Sequence, residues 1–533
     1  MKAKHLLCYL IIGGLSLFFG CEKENEDKPE KTPEDIGSAN SNSNDYDGYF
    51  LYGSNMGWLN NNWRDEDIAD ILTGNPSRGW EGVGVNSLRP SLPHNFVTTW
   101  GYENRVNTFK YYSERGAKHN VVFIGDSPGD QYREGNSQSF KNLYEPVWIE
   151  NGDGTTTVNE NNYYAWYVYN LVTKYKDCVK FWEIKNEPDL TGTDCGWAAP
   201  GSACNWWDRD PTPAELVNFN APIQSYIRML RISYEVIKSV DPEAYICVGG
   251  IGYQSFLDAI LRNTDNPDGG KVTERYPHKG GAWFDCLSFH CYPMYYLRAW
   301  DNVIGGFRQF RHSDAAAEAV INQLNEYETV LRKYGYGGEY PAKEVIVTET
   351  NIPGKQVGDN IGSPEAQRNY LIKVAVAGQK NRIRGIYPFS VWDNAEQNGN
   401  GWDYDYMGFY KPLPNAPTEG NLRVNESGIA WRTTSNMLRE RRYDPAETAK
   451  LALPAGVEGA AFHSTRSNDF VYVIWAKTSG DLSETASATY SFPTSIAANR
   501  LTITSWNATR TETEGRSITL TGSPVFIMGI VNN

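Results

Sequence analysis

Histidine and methionine are both scarce in this chain, seven of each in 533 residues. The eight cysteines form no CxxC pair and no Cys/His cluster, so the sequence presents no metal site and calls for no cofactor. Cations are in deficit as well: 50 Lys and Arg against 64 Asp and Glu leave a formal charge of −14. Nucleic acid and anionic membrane surfaces both require clustered cations, and neither is expected as a main partner. No convincing internal repeat is present. Long apolar runs are absent too, apart from Leu6 to Phe19, which is too short to span a bilayer comfortably.

That run follows Lys2 and Lys4 and leads into Gly20-Cys21, the layout of an export signal. A small residue followed by Cys resembles the lipobox of bacterial lipoproteins, with Phe18 where Leu is usual. The resemblance implies a lipidated Cys21 as mature N-terminus, an exported protein on the outer membrane facing outward, and membrane contact only through the lipid. Glu22, Glu24, Glu26 and Asp27 resemble the surface-export tag of Bacteroidota lipoproteins, though a solvated linker accounts for them almost as well. Export permits disulfides. Cys195 and Cys204 flank a Gly/Pro/Ala loop and are the expected pair. Cys178, Cys247, Cys286 and Cys291 fall in or near expected buried strands, where a free thiol behaves as a small apolar group.

What the chain does have is aromatic rings, 13% of its residues, and apolar residues enough for a large core. Residues 1–21 read as signal and 22–46 as a flexible tether rich in Glu, Lys, Pro, Asn and Ser. From there short apolar runs alternate with amphipathic stretches. Strands are expected at 49–55, 84–90, 120–125, 179–184, 244–250, 284–293, 344–349 and 385–392. Helices include 102–117, 214–240, 315–334, 364–380, with Ser363 as cap and Pro364 first, and 429–441. Eight strands interleaved with helices predict an α/β fold, a (β/α)8 TIM barrel over 47–444. Beyond Asp444-Pro445 no helical pattern appears. Closely spaced strands such as FVYVIWA predict a C-terminal all-β sandwich over 445–533. A monomer is expected.

In such a barrel the reactive groups stand at the C-terminal strand ends. The fourth strand ends in WEIKNEPD and the seventh in VIVTETN, which puts Glu187 and Glu349 directly after apolar strands. A retaining glycosidase needs such a carboxylate pair, a proton donor and a nucleophile about 5 Å apart. Asn-Glu-Pro after a fourth strand and Thr-Glu after a seventh resemble the signature of glycoside hydrolase clan A. Arg89 closing the second strand, His290 and Tyr292 on the sixth and Trp392 after the eighth agree with it in barrel order. The resemblance spans roughly residues 48–445. It implies Glu187 as acid/base, Glu349 as nucleophile, Arg89 and Tyr292 beside Glu349, Asn186 on the substrate 2-hydroxyl, and Trp392 under the −1 sugar. Glu187 is expected to hold its proton partly through the negative charge of Glu349.

Other residues stay open between cleft and scaffold: His94, Asp126, and the loop rings Trp402, Tyr404 and Tyr406. Trp197, Trp206 and Trp207 are read as a rim of aromatic subsites, and Glu183 as structural. The expected partner is a polysaccharide. The expected activity is an endo-acting, retaining β-glycanase. An exo-β-glycosidase resembling β-xylosidases and a catalytically silent glycan-binding lipoprotein are the rivals.

Overall fold

The computed structural model describes residues 46–56, 63–394, 401–414, 422–467, 469–496 and 500–530. Cys21, the signal and the tether up to residue 45 lie outside the described residues. Among the described residues no helix is long and apolar enough to cross a membrane.

Eight parallel strands form the barrel: β1 (Leu51–Asn55), β2 (Ser87–Arg89), β3 (Asn120–Ile124), β4 (Val179–Ile184), β5 (Tyr245–Cys247), β6 (Cys286–Cys291), β7 (Glu344–Thr350) and β8 (Ile383–Pro388). Their hydrogen-bonded order runs β2-β1-β8-β7-β6-β5-β4-β3. A bridge between Ser91 and Phe123 brings the two edges together. The outer layer comprises α1 (Asp65–Thr73), α2 (Val106–Glu114), α3 (Tyr163–Tyr175), α4 (Ile223–Val240), α5 (Gln254–Arg262), α6 (Ser313–Lys333), α7 (Pro364–Lys380) and α8 (Glu426–Leu438). One of these follows each strand, which is the (β/α)8 arrangement.

Two buried layers explain the order. Leu51, Val121, Phe181, Cys247, Cys286, Ile346 and Tyr387, from seven of the strands, form a cluster apart from the main core. They are the barrel's filling. The opposite strand faces join the helices in a second, larger core. Cys247 and Cys286 are thus space-filling groups, and all four free thiols are buried. Ser363 caps α7 as its sequence requires, the hydroxyl accepting from Ala366 N at 3.0 Å.

Two antiparallel hairpins, Trp148–Glu150 with Thr156–Val158 and Arg298–Asp301 with Gly306–Gln309, were not anticipated by the pattern. They leave the barrel in the loops after β3 and β6. The C-terminal region holds a six-stranded antiparallel sheet ordered β9 (Arg441–Tyr443), β10 (Val457–Ser464), β11 (Phe470–Ala476), β16 (Val525–Ile530), β13 (Arg500–Thr504) and β14 (Arg510–Glu514). A two-stranded sheet of β12 (Ser487–Ser491) and β15 (Ser517–Thr521) packs on it through a separate apolar cluster. The expectation of no helix after residue 444 is corrected by Pro445–Lys450, for which Asp444 is the N-cap with Pro445 in the first turn.

Candidate active site

The ends of β1, β2, β4 and β7 converge on one guanidinium. Arg89 is buried, and its five donors are shared among four acceptors. Nε donates to Glu183 Oε2 at 2.8 Å, Nη1 to Asn55 Oδ1 and to Glu349 Oε1, each at 2.8 Å, and Nη2 to Asn186 Oδ1 at 2.7 Å. Glu183, fully buried, takes Thr348 Oγ1 on its other oxygen at 2.7 Å. The second oxygen of Glu349 accepts from Tyr292 OH at 2.6 Å. Two charge-assisted hydrogen bonds therefore fix both oxygens of Glu349. Because a guanidinium only donates, Asn186 must turn its carbonyl to Arg89, and its amide NH2 is left for the cavity.

Glu187 is built differently. Lys185 and Glu187 both adopt positive φ, 67° and 47°, a conformation that costs on the order of 1–3 kcal/mol and persists only where neighbours impose it. Here Lys185 N donates to Ile124 O and Glu187 N to Gly249 O, each at 2.7 Å. The kink aims Glu187 at His290, whose Nδ1 lies 2.8 Å from Oε1. His290 is packed against Gly250, where a Cβ would come within 2.2 Å of Nε2, so only glycine fits there. Nε2 itself has no hydrogen-bond partner. A proton placed on it would be buried without an acceptor, which assigns the imidazole proton to Nδ1, facing Glu187.

Electrostatics around this pair departs from expectation. Burial acts first on Glu187 and pushes its pKa up, but the His290 hydrogen bond and the charges of His290 and Arg89 outweigh it and hold the carboxyl below its ordinary value. Glu183 is a neighbouring acid that raises it. The proton on Glu187 is therefore opposed by His290 and Arg89. Burial pulls His290 down, while Glu349 and Glu187 together lift it above its usual value. Tyr292 is raised far out of range by burial and the Glu349 charge, so it stays a donor. Behind Glu187, Asp189 is pushed up to about 7 by burial, although it accepts from Gly252 N and Tyr253 N.

Arg89, Asn186 and Glu349 open into a cavity of about 720 Å³ whose walls also include Pro90, Phe123, Asp126, Asn218, Ser390 and Trp392. Asp126 forms part of the wall while paired with the buried Lys185 at 3.0 Å. His94 is a scaffold residue: 2% exposed, ringed by Tyr132, Phe140 and Tyr167, its Nδ1 accepting from Gly129 N, and brought down to about 4 by burial.

The subsite rings divide. Trp206 is completely buried against Tyr253 and Phe256, which corrects its reading as a subsite: two residues past the disulfide, its ring is spent on core packing. Trp207 is half-buried and packs on the core rim. Trp197 is half exposed, standing on Tyr253 and Tyr296, and Trp402 is exposed. Tyr404 packs edge-on against Tyr292, 4.8 Å between ring centres, while Tyr406 lies under Lys355. Cys195 and Cys204 are joined in a disulfide.

Among the described residues, two groups place three metal-ligand atoms within 4.8 Å of one another, Cys195/Cys204/Glu215 and Glu187/His290/Glu349. The disulfide uses the thiols of the first. In the second, Arg89 and Tyr292 already occupy both oxygens of Glu349. Asn55 and the Asp189 anchor were missed by sequence reasoning; a polar residue closing the apolar run of β1 was the available signal for Asn55.

No family model matches the chain, and no curated protein sequence does. Solved structures do. A glucosidase from Croceicoccus marinus aligns over 91% of this chain and 96% of its own, at 12% identity and a TM-score of 0.50. A thermostable α-L-arabinofuranosidase from Thermotoga petrophila aligns over 94% and 98%, at 12% identity and 0.49. At such identity the glucosidase likeness is one of fold.

Proposed function

We propose that this chain is a retaining glycoside hydrolase that cuts β-linkages within a polysaccharide. One observation carries the reading. A carboxylate oxygen of Glu187 and one of Glu349 lie within 4.8 Å of each other, and only Glu349 is held on both oxygens by a cation and a phenol. Retaining enzymes set their carboxyl groups about 5–5.5 Å apart, inverting ones about 6.5–9.5 Å to admit a water. A silent binding protein has no need of this asymmetry.

The chemistry follows from the contacts. Glu349, oriented by Arg89 and Tyr292, attacks the anomeric carbon. Glu187 protonates the departing oxygen. With His290 Nδ1–H on Oε1, the proton to be given sits on Oε2. The carboxylate left behind then takes a proton from the incoming water. The free amide of Asn186 donates to the 2-hydroxyl, a bond that strengthens as positive charge grows at the anomeric centre. An endo mode suits a cavity whose wall at Asp405 is bonded to the backbone of the exposed Trp402.

Azide rescue with an activated aryl glycoside tests the roles. Glu349→Gly should yield a glycosyl azide of inverted configuration by a single displacement. Glu187→Ala should yield one of retained configuration, since the glycosyl-enzyme still forms and azide opens it. Anomeric NMR showing the reverse assignment would exchange the two roles, and an inverted first product from the unaltered enzyme would exclude retention.

A further inference from the structure

The loop after β6 carries apolar surface that folding does not use. In its hairpin Trp300 and Phe307 are direct cross-strand partners, so both rings stand on one face, 5.3 Å apart and edge-to-face. They are 57% and 54% exposed, and Val303 and Ile304 at the tip are exposed as well. Arg298 lies over the Phe307 ring at 5.0 Å.

The hairpin is built to be stiff. Asp301 accepts from Val303 N at 2.8 Å and pairs with Arg308 at 3.0 Å. At the root, Phe310 N donates to Leu297 O at 2.8 Å. Arg311 is clamped from the C-terminal region: its Nη2 reaches Asp481 Oδ2 at 2.6 Å, and Leu482 N donates to its carbonyl at 2.9 Å. A fixed platform binds without a further ordering cost.

It is also continuous with the site. From Glu349 the contacts run to Tyr292, then to Tyr404, whose hydroxyl lies 3.2 Å from that of Tyr295. Tyr295 is 55% exposed and two residues before the hairpin's root at Leu297. The cavity opens on the other flank, among the loops after β2, β3 and β8. Glu187, which faces the departing oxygen, is braced by His290 of β6, the strand that feeds this hairpin.

We infer that Trp300 and Phe307, approached through Tyr295, form a platform for the leaving-group portion of the polysaccharide. The inference rests on the hydrolase reading. Apolar ring faces edged by Arg298, Arg308 and Asn302 match a sugar's apolar face and hydroxyl rim. A membrane is the competing occupant of such a tip, but a chain of net charge −14 is repelled by anionic lipid.

The test compares Trp300→Ala/Phe307→Ala with unaltered enzyme on an aryl monoglycoside and on soluble arabinoxylan, galactomannan and mixed-linkage β-glucan. Losing two stacking rings should lower kcat/KM on the cleaved polymer about tenfold or more, with aryl glycoside turnover unchanged. Unchanged polymer cleavage would overturn the platform, as would an equal loss on both substrates, which marks a prop for the catalytic groups. Unchanged polymer cleavage with lost binding to phosphatidylcholine/phosphatidylglycerol vesicles would assign the tip to lipid. Polymer binding without cleavage, abolished in the double variant, would keep the platform and remove the hydrolase reading. Absence of both in unaltered enzyme would remove both.

Discussion

Glu187 is balanced between opposing influences, and its neighbour decides the outcome. Burial alone favours the protonated acid, and the His290 hydrogen bond and charge reverse that. Taking His290 away in His290→Ala leaves burial and the Glu183 charge against Arg89 alone. The Glu187 pKa should then rise, and the alkaline limb of kcat/KM, which reports loss of the acid's proton, should move to higher pH. The loss of the orienting bond should lower kcat/KM at its optimum by about tenfold. An alkaline limb that stays in place or moves down would refute this account. Much of this site was legible from residue types at strand ends, because Arg89, Glu187, His290, Tyr292 and Glu349 each directly close or follow an apolar run. What could not be read is which partner each takes. Asn186 gives its carbonyl to Arg89, and Glu183, a residue read as structural, is the counter-charge that keeps Arg89 buried. Those choices depend on side-chain directions across strands far apart in sequence.

The loop elements around the barrel show where pattern reading stops. Strand and helix positions were recoverable because each presents a buried face, and Pro364–Lys380 came out at its own bounds. The two hairpins have no continuous buried face, so no alternation marks them; in Arg298–Asp301 three of four residues are exposed and in Gly306–Gln309 two of four, with none buried. Trp206 and Trp197 looked equivalent in sequence, but Trp206, past the disulfide, is in the core, and Trp197, within its loop, is half exposed. That loop closes over a sequence separation of nine, with Trp197 inside it. Replacing the pair in Cys195→Ser/Cys204→Ser should cost about 2–3 kcal/mol in stability by the chain-entropy measure. Released from its closed loop, Trp197 should lose its seat on Tyr253 and Tyr296. Polymer cleavage should therefore fall severalfold more than aryl glycoside cleavage at a temperature where the variant remains folded. Equal losses on both substrates would show that the loop serves folding alone.

At the scale of the whole molecule, the barrel and the C-terminal sheets are tied through α6 and α7. Asp314 accepts from Trp475 Nε1 at 2.7 Å and Thr478 N at 2.8 Å, and pairs with the buried Lys373 at 2.7 Å. Burial raises the Asp314 pKa, but the Lys373 charge and the hydrogen bonds win and set it below its usual value. The stability it contributes is complete above the unfolded pKa and disappears as pH falls through the folded one. Asp314→Ala removes the nearer of the two carboxylates around Lys373, leaving Glu484 at 4.0 Å, and should cost about 3 kcal/mol, whereas adding Lys373→Met should recover part of the loss, since the buried ammonium is then gone and Glu484 keeps its hydrogen bonds from Ser313 and Asn369. Calorimetry at neutral pH reads both; an unchanged Tm in the single variant would sink the proposal. A second tie, Arg311 to Asp481 and Leu482, has a consequence in time. The two sides are 170 residues apart, and a chain made from its N-terminus completes the loop after β6 long before residue 481 exists. Until that late segment arrives and docks, Arg311 has only Asp359 O, in the loop after β7, to hold its guanidinium. A chain cut short after the barrel would keep Glu187 and Glu349 and yet lack the Asp481 clamp at the root of the loop after β6.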